Sequence, residues 1–246
     1  EIASCLVGSE MCIRDRALKY WNQINLYSKT RGINRFKGLA MGLEWAKEKG
    51  YETEGQEEFV AWTKEAPELS NPALLAQCQK KKNPCMEQAL LWSIHVNLAV
   101  KEPGMEQGAF YGVREALEKM SPKADLAVVS SANAQAVEEE WSKYELKPYC
   151  KALLSQEAGS KAECIQKLSA LGYPPEQILM VGDAMGDYEA AKKNGVWFYP
   201  IVVNNEKESW QQLQEEAYPK LLHGTFDREY QKELLDKFER GLQETL

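Results

Sequence analysis

The sequence predicts an α/β protein in two parts, a helical segment over residues 17–108 and a parallel-sheet domain with a C-terminal helix over 109–246. Two observations support the division. The first part has helical periodicity and no strand pattern, whereas short apolar runs alternate with helical patterns in the second. A third observation is that the run Ile178–Val181 leads directly into Gly182, Asp183 and a helix. Strands that alternate with helices at this spacing imply a parallel sheet with right-handed crossovers.

Residues 1–16 differ from the rest of the chain, and we interpret them as non-native sequence. The codons GAG ATG TGT ATA AGA GAC AG-, from a common transposon-based sequencing adapter, encode Glu10 to Asp15 and begin Arg16. The alternative is a signal peptide, but the charges lie on the wrong side of a very short apolar run. We therefore exclude this segment from the fold prediction and expect the natural N-terminus to be missing.

Composition excludes several classes of protein. The chain has 246 residues, 44% of them hydrophobic and 27% charged, which is ordinary for a soluble globular protein of one or two domains. The net charge of -7 argues against a general nucleic-acid binder. No run approaches the roughly 18 apolar residues of a membrane span. We expect a protein that binds neither nucleic acid nor membrane, and nothing in the sequence predicts its oligomeric state.

The cysteines outside residues 1–16 form no metal-binding pattern. They are dispersed along the chain. Cys78 and Cys85 are too far apart for a zinc knuckle, and no histidine at a suitable spacing would complete one. A reduced, cytoplasmic protein is the simplest interpretation.

The first part is predicted to be a small helical bundle inserted into another domain. Its helices are expected at residues 17–27, 33–49, 56–64, 72–79 and 85–100. The last has the strongest apolar stripe, which predicts a core-facing helix with these residues buried: Met86, Ala89, Leu90, Ile94 and Leu98.

The second part alternates between helices and strands. Helices are expected at 110–120, 134–144 and 160–171, and strands at 124–129, 150–154, 178–181 and 196–202. A helix after the third of these strands is predicted to stop at Asn194-Gly195, a pairing suited to a C-cap. The tail, 211–246, is predicted to be mostly helical with one apolar stripe, formed by Tyr230, Leu234, Leu235, Phe238 and Leu242.

Three polar positions stand at strand ends or helix starts, and two of them are Ser130 and Lys161. Ser130 ends the strand before the 134–144 helix, where its hydroxyl, the neighbouring Ser131 and the helix N-terminus could hold a phosphate oxygen. N-capping is the alternative for Ser130, Ser131 and Asn133. Lys161 opens a helix, an unfavourable place for a cation unless an anion lies there, although a surface lysine remains possible.

Two carboxylates, Asp183 and Asp187, stand at the end of the strand 178–181 and one helical turn later. The carboxyl ends of parallel strands are where ligands bind in open α/β sheets. Such a pair is seldom needed for packing and suggests a divalent metal held by oxygen ligands.

Together, Ser130, Lys161 and the sequence Gly182-Asp-Ala-Met-Gly-Asp187 resemble motifs II, III and IV of the haloacid dehalogenase-like hydrolases. The resemblance covers about 110–203, and residues 17–108 resemble the type C1 cap of that family. It implies a three-layer, Rossmann-like core and a Mg²⁺-dependent phosphohydrolase. It further implies that Ser130 binds the phosphoryl group, Lys161 neutralises its charge, Asp183 coordinates Mg²⁺ and Asp187 supports the metal or the lysine.

The chain departs from the family at motif I. That motif, Asp-x-Asp-x-Thr/Val, supplies the nucleophilic and acid/base aspartates, and no Asp-x-Asp occurs in these 246 residues. It should precede the cap, where the adapter-like segment stands. We expect that it was lost with the first strand, and that the chain as it stands is inactive whereas its parent hydrolyses a small phosphorylated metabolite.

Three questions stay open. A sugar-phosphate mutase of the same superfamily would share every residue above and would depend on glucose-1,6-bisphosphate. A non-catalytic phosphate-binding protein is favoured if the genomic sequence lacks Asp-x-Asp, whereas a true dehalogenase, which needs no Mg²⁺, is disfavoured. The basic stretch with Arg31, Asn34, Arg35 and Lys37 could meet an anionic substrate or be a solvated turn.

Overall fold

The structure, a computed structural model, describes residues 15–99 and 108–243. Contacts divide the chain into two compact units, residues 1–107 and 108–246. The adapter-like segment lies outside the described residues except for Asp15 and Arg16, which are helical.

The described part of the first unit is helical throughout. Helix α1 (residues 15–22) continues as a π-helical turn, Gln23–Tyr27, and is followed by α2 (Arg35–Glu48), α3 (Gln56–Glu65), α4 (Asn71–Lys80) and α5 (Pro84–Ala99). Side chains fix two of the starts, since Asn34 accepts from the Phe36 N–H and Ser70 accepts from the Ala73 N–H. The helices therefore begin and end within about two residues of the predicted positions.

The core of this unit lies among α2, α3, α4 and α5. Phe36 and Phe59 are fully buried and meet edge to face, with ring centroids 6.5 Å apart. Two residues of the predicted α5 stripe, Met86 and Ala89, join this core, but Ile94 and Leu98 are 41% and 60% exposed. The prediction that the whole stripe is buried was wrong for the C-terminal half of α5, because the inward-facing residue of its third turn is Ser93, which is fully buried, and Ile94 is its exposed neighbour.

The second unit alternates between helices and strands. Its helices are α6 (Val113–Met120), α7 (Ala134–Lys143), α8 (Lys161–Ser169), α9 (Met185–Asn194), α10 (Glu206–Gln212), α11 (Tyr218–Leu222) and α12 (Arg228–Gln243). Its strands are β1 (Leu126–Val129), β2 (Cys150–Leu154), β3 (Leu179–Gly182) and β4 (Trp197–Pro200). Helix α9 ends at Gly195, which is left-handed with φ of 67°, as predicted.

The strands form two separate parallel pairs in the part of the chain that the structure describes. β1 pairs with β2, aligning Val128 with Leu153, and β3 pairs with β4, aligning Leu179 with Trp197. Parallel pairing is what the alternation of strands and helices predicted. The expected parallel sheet is thus observed as two pairs, which are not joined among the described residues.

The strands β1 and β3 are less buried than their apolar sequences suggest. All four residues of β3 are half-buried and Ala127 in β1 is exposed, whereas three of the four residues of β4 are buried. Strands buried on both faces are normally near-continuous apolar runs, as β1 and β3 are. Both strands thus have the sequence of interior strands and the burial of edge strands.

The C-terminal helix covers β4. Phe198 of that strand contacts Phe238 with ring centroids 6.0 Å apart, and both side chains are fully buried. Leu234 and Leu242 of the predicted stripe are buried as well, and Tyr230 is 9% exposed. The tail therefore packs on the core of its own unit.

None of the described helices is both long enough and apolar enough to cross a bilayer. The four cysteines within the described residues are free thiols, and burial raises the pKa of Cys150 to about 11.

Candidate active site

Lys161 and Asp187 form the centre of the candidate site. Lys161 is the first residue of α8 and Asp187 lies in the first turn of α9, and the Nζ of the lysine is 2.5 Å from Oδ1 of the aspartate. The Asp187 side chain is only 3% exposed and that of Lys161 27%. An anion therefore does lie at the start of α8, and it is supplied by the chain itself.

The second oxygen of Asp187 is also engaged. Oδ2 accepts a hydrogen bond of 3.1 Å from the backbone N–H of Ala184. This bond satisfies one of the orphan N–H groups at the start of α9. Because both oxygens have partners, Asp187 is placed to orient Lys161.

Gly182 is the reason that Asp187 can lie so deep. A Cβ added at this position would stand 2.4 Å from both Cγ and Oδ2 of Asp187, far inside contact distance. The end of β3 therefore requires a residue without a side chain, and this is the glycine that precedes Asp183 in the sequence. Asp183 itself follows β3 and is half-buried.

Ser130 directly follows β1 and extends its pairing with β2. Its N–H donates to the carbonyl of Leu154 at 2.8 Å, and its Oγ accepts from the Ala132 N–H at 3.1 Å. Ser131 is exposed, and the N-cap of α7 is Asn133, whose side chain accepts from the Ala136 N–H at 2.9 Å. Of the three residues considered for N-capping, Asn133 therefore has that role.

A residue that sequence reasoning missed lies at the same helix start. The carboxylate of Glu157 accepts from the Ala134 N–H at 3.0 Å and from the Ser155 hydroxyl at 2.7 Å. The Ser155 hydroxyl, followed by backbone N–H groups that include Ala134, holds the pKa of Glu157 below its ordinary value. The N-terminus of α7 thus already has an anion from the loop after β2. A Ser-x-Glu sequence is too common to have indicated this contact.

Helix α8 has a reciprocal cap that places Lys161. The Ser160 hydroxyl accepts from the Glu163 N–H, and the Glu163 carboxylate accepts from the Ser160 N–H at 2.7 Å. This capping box fixes the first turn of α8, so the Lys161 backbone is held rigidly while its side chain reaches Asp187.

The polar stretch before α2 has mostly structural contacts. Arg31 donates to the Leu26 carbonyl at 2.8 Å, and Asn34 caps α2 and donates to the Leu69 carbonyl at 3.0 Å. Arg35 donates to Ser93 and, at 2.6 Å, to Asn97, which ties α2 to α5. Lys37 is exposed.

The predicted metal site has an incomplete set of donors. Among residues 15–99 and 108–243 no group of three or more histidine, cysteine, aspartate or glutamate side chains is arranged to hold a metal ion. Asp187 has both oxygens engaged, and Asp183 is the second carboxylate at the end of β3. This pair falls short of a complete protein site, although Mg²⁺ sites often combine one or two carboxylates with substrate oxygens and water.

Comparison with known families gives a match. The family model described as haloacid dehalogenase-like hydrolase matches residues 44–201, a span that begins in α2 and ends just after β4. The chain belongs to the haloacid dehalogenase-like hydrolases. No curated protein and no solved structure matches it. The family match includes Ser130, Lys161, Asp183 and Asp187, so all four predicted site residues lie within the part of the chain that defines its membership.

Proposed function

We propose that the parent of this chain is a Mg²⁺-dependent phosphohydrolase that acts on a small phosphorylated metabolite through an aspartyl-phosphate. We propose further that the present 246 residues lack the nucleophile and are inactive alone. The observation that carries the proposal is the Lys161–Asp187 pair, in which a buried carboxylate orients an ammonium group beside the carboxyl end of β3.

Lys161 has the chemistry that phosphoryl transfer needs. Its ammonium group is partly exposed, so it can reach a phosphate oxygen while Asp187 holds it in place. Charge develops on the equatorial oxygens during transfer, and a preorganised cation stabilises it. Ser130, at the end of β1, would donate its hydroxyl to another of these oxygens.

Asp183 would contribute the chain's carboxylate to the metal. When bound, Mg²⁺ supplies additional neutralisation of the phosphoryl charge. The other protein carboxylate would come from the missing Asp-x-Asp motif, which agrees with the incomplete donor set of the described residues.

The two-pair arrangement of the strands supports the missing-strand proposal. β1 and β3 have interior-type sequences and half-exposed residues, and Leu126, Leu179 and Val181 all pack against one core cluster. One further strand placed between β1 and β3 would join the two pairs into one parallel sheet. An Asp-x-Asp at its carboxyl end would then be flanked by Ser130 and Asp183.

The proposed chemistry needs that aspartate. Its carboxylate oxygen would attack phosphorus, the alcohol of the ester would leave, and water would then hydrolyse the acyl phosphate to regenerate the carboxylate. No residue of the present chain is proposed to replace it.

The test compares two proteins with p-nitrophenyl phosphate and Mg²⁺, namely this chain and a parent whose genomic N-terminus is restored. We expect turnover by the parent only, and loss of that turnover in the parent with Lys161→Met. Turnover by the 246-residue chain would contradict the nucleophile proposal. An inactive parent that contains Asp-x-Asp would contradict the phosphohydrolase proposal.

A further inference from the structure

A second candidate site lies at the opposite end of the β3–β4 pair. A cavity of 540 Å³ opens between α9, the start of β4 and the first two turns of α12, and its lining includes Lys192, Arg228, Lys232, Trp197, Tyr188 and Gln231. Trp197 begins β4 and the lining residue Glu176 precedes β3, whereas Asp183 follows the other end of β3. The cavity is therefore separate from the candidate active site, and its volume is within the range of small-molecule sites.

The charge of this cavity is opposite to that of the protein. Lys192, Arg228 and Lys232 face a single lining carboxylate, Glu176, in a chain whose net charge is -7. None of the three cations takes part in an ion pair within the described residues. All three residues are solvent-exposed, and together they give the cavity an excess of positive charge that favours a bound anion.

Arg228 is the first residue of α12, and the start of that helix already has two carboxylates. Asp227 Oδ1 accepts from the Tyr230 N–H at 2.8 Å, and Glu229 lies in the first turn. Because these carboxylates already interact with the positive end of the helix dipole, the guanidinium group of Arg228 is the group that an anion in the cavity would contact.

The floor of the cavity is held by specific contacts. The Trp197 indole N–H donates to the Glu176 carbonyl at 3.0 Å, and its ring lies 5.2 Å from that of Phe226. Gln231 accepts the Phe198 N–H through Oε1 at 2.8 Å, which leaves its Nε2 as a further donor. The Nζ of Lys192 lies 5.6 Å from the centre of the Tyr188 ring. The cavity therefore combines a rigid aromatic wall with donors and positive charge.

We propose that this cavity binds a polyphosphate chain, as inorganic tripolyphosphate or as part of a nucleoside triphosphate. Lys192, Arg228 and Lys232 contact its oxygens. Multiply charged phosphate is the ligand class that matches three cations around one cavity.

The test is calorimetric titration of the whole chain in EDTA with tripolyphosphate and, separately, with ATP. We expect saturable 1:1 binding of at least one ligand. Tighter binding of ATP would indicate that the cavity recognises a nucleotide, whose base would contact the aromatic side chains. Equal binding of the two ligands would indicate that the cavity recognises the phosphate chain alone. Each of the variants Lys192→Glu, Arg228→Glu and Lys232→Glu should weaken binding by about tenfold or more, as expected for loss of one charge-assisted hydrogen bond.

Lys193→Glu is the matched control, because Lys193 is the exposed neighbour of Lys192 on α9 and does not line the cavity. It should leave the affinity nearly unchanged. Absence of saturable binding would overturn the proposal, as would equal losses in Lys193→Glu and Lys192→Glu. Binding that is unchanged in Lys192→Glu, Arg228→Glu and Lys232→Glu would also overturn it and would place the anion outside this cavity. Because no metal or turnover is involved, the result does not depend on the phosphohydrolase proposal.

Discussion

Asp187 holds Lys161 across 26 residues of sequence, with its own carboxylate almost completely buried and the lysine Nζ 2.5 Å away. The pair joins the first turns of α8 and α9, two helices that are in extensive contact. The pair therefore links the two helices and positions the ammonium group of Lys161 in the candidate active site.

Lys161→Met should destabilise the protein, because it leaves a buried carboxylate with only the Ala184 N–H as a partner. Removing one member of a buried ion pair costs roughly 3 kcal/mol of the free energy of unfolding. Urea denaturation measures the loss. Lys167→Met, on the same helix but exposed, is the control and should cost less than about 1 kcal/mol. Equal losses in the two variants would contradict the importance of the pair.

Gly182→Ala should destabilise the protein by about 1–3 kcal/mol, because the new Cβ would overlap the Asp187 carboxylate. Gly186→Ala is the matched control, since the residue is in α9 and a Cβ added there would have no atom within 4 Å beyond its own helix backbone. There alanine should stabilise by up to about 1 kcal/mol through helix propensity. Thermal unfolding of both variants distinguishes them by the sign of the change in Tm, and a shared sign would count against the close-approach explanation.

Glu163→Gln should make stability less dependent on pH. The Ser160 N–H, followed by the Ser160 hydroxyl, holds the pKa of Glu163 below its ordinary value. Because the folded pKa is the lower one, this stabilisation is present above the unfolded pKa and is lost as the pH falls through the folded pKa. The variant should therefore be less stable than the native chain at neutral pH and equally stable in acid. Urea unfolding midpoints, measured from neutral to acidic pH, give the difference in stability. Glu189→Gln on α9 is the charge-matched control.

Tyr230→Phe should be neutral or stabilising. The Tyr230 hydroxyl is buried, and no group in the described part of the chain meets it with good hydrogen-bond geometry, although Glu216 and Gln212 lie nearby; burial, followed by Glu216, raises its pKa. Its removal therefore relieves a desolvation cost. Tyr199→Phe is the contrasting variant, because the Tyr199 hydroxyl donates to the Ser209 carbonyl at 2.6 Å. Its loss should cost about 1–2 kcal/mol. Denaturant unfolding of both proteins decides the matter, and a destabilising Tyr230→Phe would contradict the unpaired state of that hydroxyl.

Local sequence predicted the elements well because local interactions determine where they begin and end. Asn194-Gly195 indicated the end of α9, where Gly195 is left-handed. The alternation of apolar runs and helices predicted parallel strands, and β1 with β2 and β3 with β4 are parallel. The polar positions of the candidate site were also visible, since a chemically distinctive residue at the end of a strand can be recognised without knowing its neighbours.

The sequence by itself therefore determined the elements, the parallel direction of the strands and the polar residues that make up the candidate site. Only the tertiary structure decided the partners. It paired Lys161 with Asp187, placed Glu157 on the first turn of α7, exposed Ile94 and Leu98, and divided the strands into two pairs. The physical reason is that each of these outcomes depends on contacts between residues distant in sequence. Periodicity and capping report only on the few residues around each position.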